Sequence, residues 1–144
     1  MNIDHLIFKL SHLDRYGADV EEFIALINAL PQALCPKVID ALFHTFSQED
    51  DFGIQETVLA RLDTISDDEF AHALNRNFNY LLTACSEQEW LLLIIGRYVN
   101  AQHSARLNAI LKIADKNPQI LLFLTSDYFV NEYPEIKRYF LDKF

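Results

Sequence analysis

The stretch Ala41-Leu42-Phe43-His44-Thr45-Phe46 decides the fold class, read with the polar loop Ser47-Gln48-Glu49-Asp50-Asp51-Phe52-Gly53 and the segment Val58-Leu59-Ala60-Arg61-Leu62 beyond it. Ile39, Leu42, Phe43 and Phe46 recur at i, i+3, i+4 and i+7. That spacing lines one face of a helix with 3.6 residues per turn. Two such segments joined by a short polar loop make an antiparallel helical hairpin. A second hairpin of the same form follows about fifty residues on. It consists of Leu93-Ile94-Ile95-Gly96-Arg97-Tyr98, a polar loop, and Asn108-Ala109-Ile110-Leu111-Lys112.

Outward from this stretch the same periodicity holds. Ile3, Leu6, Ile7 and Leu10 repeat it, as do Val20, Phe23, Ile24 and Ile27, and Leu107, Ile110, Leu111 and Ala114. No segment keeps up the period-2 alternation of a half-buried strand. Ser66-Asp67-Asp68-Glu69 and Ser86-Glu87-Gln88-Glu89 have the form of capping boxes. Cys35-Pro36, Asn117-Pro118 and Tyr133-Pro134 put proline at a first helical position, where its missing N–H costs nothing. Helices are expected at 2–15, 18–30, 36–47, 54–65, 67–84, 87–100, 104–116, 118–126 and 132–143. The expected fold is all-α and forms a single domain over 1–144. It is either a stack of antiparallel helical hairpins of the HEAT-like kind or an irregular bundle of about 8–9 helices.

Composition bounds the class. A chain of 144 residues, 51% hydrophobic and 12% aromatic, buries enough surface to fold without a staple. Twelve Lys and Arg face 21 Asp and Glu, for a net charge of −9. That balance argues against binding nucleic acid through its phosphates. The longest wholly apolar run, Trp90 to Gly96, is far short of a membrane span. The start Met1-Asn2-Ile3-Asp4-His5 has no basic region of the secretory type. Cys35 and Cys85 form no C-x-x-C and read as buried thiols of a reducing cytoplasm, where the protein is expected to reside.

Catalytic and metal chemistry finds little footing. Glu69-Phe-Ala-His72 is one E-x-x-H, whereas a ferritin-like di-metal site needs two together with further carboxylates. Asp40 and His44 at i, i+4 suit a surface pair as well as a metal. Set on Gly53 as its sixth position, the loop 48–59 fails as a calcium loop: Gln48, Phe52 and Leu59 fall at positions 1, 5 and 12. No phosphate-loop, dinucleotide, nucleophile-elbow or H-E-x-x-H motif occurs. The expectation is a protein without catalytic residues, metal or cofactor.

The charge distribution carries more. Residues 1–89 hold 16 acids and 5 bases, and residues 90–144 hold 5 acids and 7 bases. The acids cluster at helix starts, where they complement the helix dipole. Clusters at Glu49-Asp50-Asp51, Asp67-Asp68-Glu69 and Glu87 with Glu89 recur every 18–20 residues. Lined along one edge of a hairpin stack, they would form a negative ridge that steers a basic partner. Phe52 and Trp90 lie within or beside the clusters and are candidate aromatic anchors.

In its helix content throughout, the Ala41–Leu62 hairpin with its acidic loop, and the acidic starts at Asp67 and Glu87, the chain resembles the immunity proteins encoded beside bacterial toxins. These belong to contact-dependent growth inhibition and related polymorphic toxin systems. The resemblance implies a non-catalytic cytoplasmic protein that binds a cognate toxin domain 1:1 and blocks its active site or substrate groove. Many such toxins are basic nucleases, including tRNA-cleaving ribonucleases with EndoU-like folds. The residues implied are Glu49, Asp50, Asp51, Asp67, Asp68, Glu69, Glu87 and Glu89, with Phe52 and Trp90. No nucleic acid or membrane is an expected partner. The competing expectation is a HEAT-like scaffold or adaptor that offers a helical groove to another protein or peptide.

Overall fold

Several helix starts in this chain are set by side chains that satisfy the first unpaired amides. The computed structural model describes residues 2–47, 54–84 and 88–140. In it Asn2 Oδ1 accepts from the His5 amide at 2.7 Å and starts α1 (Ile3–His12). Cys35 and Pro36 open α3 (Pro36–Phe43), and Asn117, accepting from the Gln119 amide at 3.1 Å, opens α8 (Pro118–Leu124). Ser66 Oγ accepts from the Glu69 amide at 3.1 Å at the start of α5 (Asp67–Ala84). The Glu69 carboxylate in turn accepts from the Ser66 hydroxyl at 2.9 Å. The remaining helices are α2 (Val20–Asn28), α4 (Ile54–Leu62), α6 (Glu89–Asn100), α7 (Ser104–Ala114) and α9 (Asp127–Glu132), followed by a 3-10 helix (Pro134–Tyr139).

The described residues are all-α, with no strand among them. Their packing order is that of stacked hairpins. Helices α1, α3, α5 and α7 lie side by side in one layer, and α2 lies on α4 in the other. Helix α3 touches α4, α5 touches α6, and α6 reaches α7. The C-terminal segment is less regular: α8 packs on α7 and α9, while α9 and the 3-10 helix close over α6.

The periodic apolar positions fill the space between the layers. Phe23, Ile27, Ile39, Leu42, Phe43, Phe46, Leu107 and Ile110 are buried. Phe70, Phe78 and Phe129 join them, and Phe70 meets Phe43 and Tyr98 ring to ring at 5.6 and 5.2 Å. Phe129, Tyr133 and Phe140 close the core from the C-terminal side, whereas Tyr128 stays exposed. Gly96 lets that closure happen. A Cβ there would sit 2.1 Å from two ring atoms of Tyr133, so only glycine allows α6 and this tyrosine to approach so closely.

The chain's end departs from the expected helix at 132–143. Ser126 caps α9 five residues earlier, its Oγ accepting from the Phe129 amide at 3.3 Å. Pro134 then forces Tyr133 out of helical geometry, to φ −131° and ψ 69°. The chain resumes as a 3-10 helix rather than an α-helix. Helices α1, α3 and α4 also end three or four residues before their expected ends: Leu13 is extended, and residues 45–46 and 64–65 turn through i→i+3 bonds. No helix among the described residues is long and apolar enough to cross a membrane.

Candidate protein-binding edge

Because successive helices reverse direction, each end of the stack collects every second turn. One edge carries residues 13–19, residues 44–47 and the starts of α2, α4 and α6. It is stitched together by hydrogen bonds between turns far apart in sequence. Arg15 donates to the Thr45 carbonyl, and the Tyr16 hydroxyl meets Ser47 Oγ at 3.2 Å. The Trp90 indole N–H donates to the Ser47 carbonyl at 2.7 Å. Tyr80, late in α5, donates to the carbonyls of His44 and Phe46, each at 2.9 Å. Gln55 Nε2, in the first turn of α4, donates to Thr45 Oγ1 at 2.9 Å.

This edge is acidic. Asp14 and Asp19 stand in its first turn, Glu21 and Glu22 in the first turn of α2, Glu56 in that of α4 and Glu89 in that of α6. Asp14, Glu21, Glu22, Glu56 and Glu89 are all exposed. Each glutamate also sits where a helix dipole favours negative charge. Two basic side chains nearby are engaged: Arg15 lies over the rings of Tyr16 and Phe23 at 4.7 and 5.8 Å, and Lys9 forms a surface pair with Glu22 at 3.1 Å.

The opposite edge carries the starts of α3, α5 and α7, and two of its acids, Asp63 and Asp67, are held by arginines. Arg97 grips Asp63 through two bonds at 3.2 and 2.6 Å. Arg106, its side chain 3% exposed, donates to Asp67 at 2.8 Å. Its other N–H groups reach the Leu62 and Ile65 carbonyls at 3.1 and 2.5 Å and the Tyr98 hydroxyl at 3.1 Å. The guanidinium lies 4.7 Å from the centre of the Phe70 ring. Tyr98 passes its own proton toward Asp63 at 2.7 Å. Burial, and next the hydrogen bond to Asp63, push the Tyr98 phenol up to about 12.

The expected site residues divide accordingly. Glu49, Asp50, Asp51, Phe52 and Glu87 lie outside the described residues. Asp67, Asp68 and Glu69 open α5, and Glu89 and Trp90 open α6 beyond its far end. Eighteen residues of helix separate the two groups, roughly 27 Å at 1.5 Å per residue. They therefore do not share a ridge: a spacing of 18–20 residues steps from one edge to the other, and the same edge returns only after two helices. Asp67 is engaged by Arg106, whereas Asp68 and Glu69 are exposed. Trp90 is half-buried, its ring 5.0 Å from Phe46 and its N–H satisfied by Ser47. Asp14, Asp19, Glu21, Glu22 and Glu56 were not among the expected residues. Counting helix starts by parity rather than by distance along the chain would have found most of them.

Of the residues weighed for metal chemistry, Asp40 and His44 have other partners. Arg76 holds Asp40 through Nε and a terminal nitrogen at 3.1 and 2.9 Å, and Asn77 donates to Asp40 at 2.8 Å. His44 Nε2 lies 2.9 Å from Asn77 Oδ1, and its ring stacks on Tyr80 at 4.1 Å. His12 stacks on Phe8. Among the described residues no three His, Cys, Asp or Glu side chains converge as metal ligands.

No protein-family model matches the chain, and no curated protein or solved structure is significantly similar to it.

Proposed function

We propose that this chain is a non-catalytic binding protein, an immunity protein that neutralises a basic toxin domain of the nuclease type in a 1:1 complex. The observation that supports it best is the segregation of charge. Exposed acids, Glu21 and Glu56 among them, gather on the edge formed by the starts of α2 and α4, while Asp63 and Asp67 of the other edge are paired with Arg97 and Arg106. Such a field attracts a basic surface and raises its association rate by about 10 to 10³-fold when steering is strong. Lying in a substrate groove, the carboxylates would stand where the nuclease holds phosphates. The test is co-purification with the product of the neighbouring gene, followed by association rates for Glu21→Lys with Glu56→Lys. A basic, growth-inhibiting partner whose association slows about tenfold in this variant and in high salt supports the proposal. A partner indifferent to both refutes it.

A helical scaffold is the competing reading. It is favoured by the groove between α1 and α3, where Ile7 and Ala41 meet Ser11, Lys37, Asp40 and His44. It predicts that substitutions in that groove, and not at Glu21 and Glu56, weaken partner binding.

A further inference from the structure

The groove between α1 and α3 ends in a histidine whose ring and proton are both fixed by its neighbours. Asn77 is 5% exposed, and its side-chain NH₂ donates to Asp40 and to the Ala73 carbonyl, each at 2.8 Å. A carboxylate and a carbonyl only accept, so Asn77 Oδ1 must be the atom that faces His44. His44 Nε2, 2.9 Å from that oxygen, is therefore the nitrogen that carries the proton. Arg76 clamps Asp40 in turn, and the Tyr80 ring lies flat against the imidazole at 4.1 Å. In the neutral ring Nδ1 is then a bare acceptor, with no partner among the described residues. Side chains locked by supporting hydrogen bonds in this way are what precise binding sites are built from.

The lining itself says what fits. Lys37, Asp40, Ala41 and His44 stand at i, i+3, i+4 and i+7 along α3, and with Ile7 of α1 they line a groove of about 340 Å³. Lys37 and His44 are roughly 10 Å apart along the helix axis at 1.5 Å per residue. Lys37 is exposed and pairs with no carboxylate among the described residues, whereas Asp40 between them is held by Arg76. The groove thus offers a cation at one end, an apolar middle at Ile7 and Ala41, and a hydrogen-bond acceptor at the other end. We infer that it binds an extended segment of a partner polypeptide with a carboxylate at Lys37, an apolar side chain over Ile7 and Ala41, and a lysine or arginine donating to His44 Nδ1. Three steps of an extended chain, about 3.4 Å each, span the same distance. The inference rests on the scaffold reading, whose groove this is, and is independent of the acidic edge.

The test titrates two end-capped tetrapeptides, Glu-Leu-Leu-Lys and Lys-Leu-Leu-Lys, into the ¹⁵N-labelled full chain at low salt. The net charge of −9 favours the second peptide, and the groove favours the first. Glu-Leu-Leu-Lys is expected to bind at least about tenfold more tightly, to move the amides of Ile7, Lys37, Ala41 and His44, and to shift His44 Nδ1. Lys37→Glu, at an exposed position, should reverse the order of the two peptides. The imidazole ¹⁵N shifts of the free protein at about pH 8 give a check that needs no ligand: His44 should carry its proton on Nε2. A proton on Nδ1, or an order unchanged by Lys37→Glu, overturns the inference. A preference for Lys-Leu-Leu-Lys with shifts at Glu21 and Glu56 overturns it too and leaves the acidic edge standing. Groove amides moved equally by both peptides overturn the charge pattern and keep the scaffold reading, whereas a groove silent to both overturns the two together.

Discussion

Replacing Arg106 by methionine should cost about 3–5 kcal/mol of stability, and the structure says where the loss arises. The side chain is 3% exposed and donates to the carbonyls of Leu62 and Ile65, which end α4 and begin the turn into α5. Methionine fills most of the volume and removes every donor. Two buried carbonyls and the Tyr98 hydroxyl lose their donor, at about 1–3 kcal/mol each for a charged hydrogen bond. Stacking on Phe70 and Tyr98, at 4.7 and 5.1 Å, adds about 0.5–2 kcal/mol. Apolar burial of the methionine and rehydration of Asp67, which is one-third exposed, return part of this. For a domain of this size each kcal/mol shifts the melting temperature by about 3 °C, so a fall of roughly 10–15 °C is expected. Circular dichroism melts and urea titrations measure it. Arg106→Lys should fall between wild type and Arg106→Met, because it keeps the charge and loses the planar fork. A loss below about 1 kcal/mol for Arg106→Met would refute the reasoning and show that water satisfies the turn carbonyls equally well.

Other perturbations test other parts. Gly96→Ala pushes a Cβ into the Tyr133 ring and should cost about 1–3 kcal/mol, with Tyr133→Ala in the same chain recovering part of the loss. Simple additivity of the two changes would contradict the close contact. For Tyr98 the folded-state phenol titrates at about 12, above the unfolded value of 10.0. Its contribution is therefore complete below pH 10 and is lost as pH rises toward 12, by about 2 kcal/mol. Urea unfolding at pH 9 and pH 11.5 should show this loss in the wild type and a smaller one in Tyr98→Phe. Equal losses would mean the phenol is not held neutral. Asp67→Asn should lower stability by about 1 kcal/mol through the Arg106 bond and leave partner association unchanged.

Local chemistry made most of the fold legible. The i, i+3, i+4, i+7 sets on α2, α3 and α7 place the buried residues, and the Ser66, Asn117 and Cys35-Pro36 starts are caps that need only their own neighbours. The Ser126 cap was hidden because residues 127–131 fell between the expected helices at 118–126 and 132–143, and Pro134 looked like a clean helix start. The candidate site was legible in kind and not in place. Acids at helix starts are visible in the sequence, but which starts share an edge depends on the alternation of helix direction. Whether an acid is free to act depends on partners such as Arg106, which lies 39 residues from Asp67. No local pattern shows such a pairing.

The most direct measurement of the central claim compares two charge reversals on opposite edges. Partner association would be timed for Glu21→Lys with Glu56→Lys and, separately, for Asp68→Lys with Glu69→Lys, at low and high salt. An acidic binding edge at the starts of α2 and α4 predicts about tenfold slower association for the first pair, a weaker salt dependence, and little change for the second. Equal slowing by both pairs would mean that net charge alone draws the partner, and slowing by the second pair alone would place the binding surface on the opposite edge.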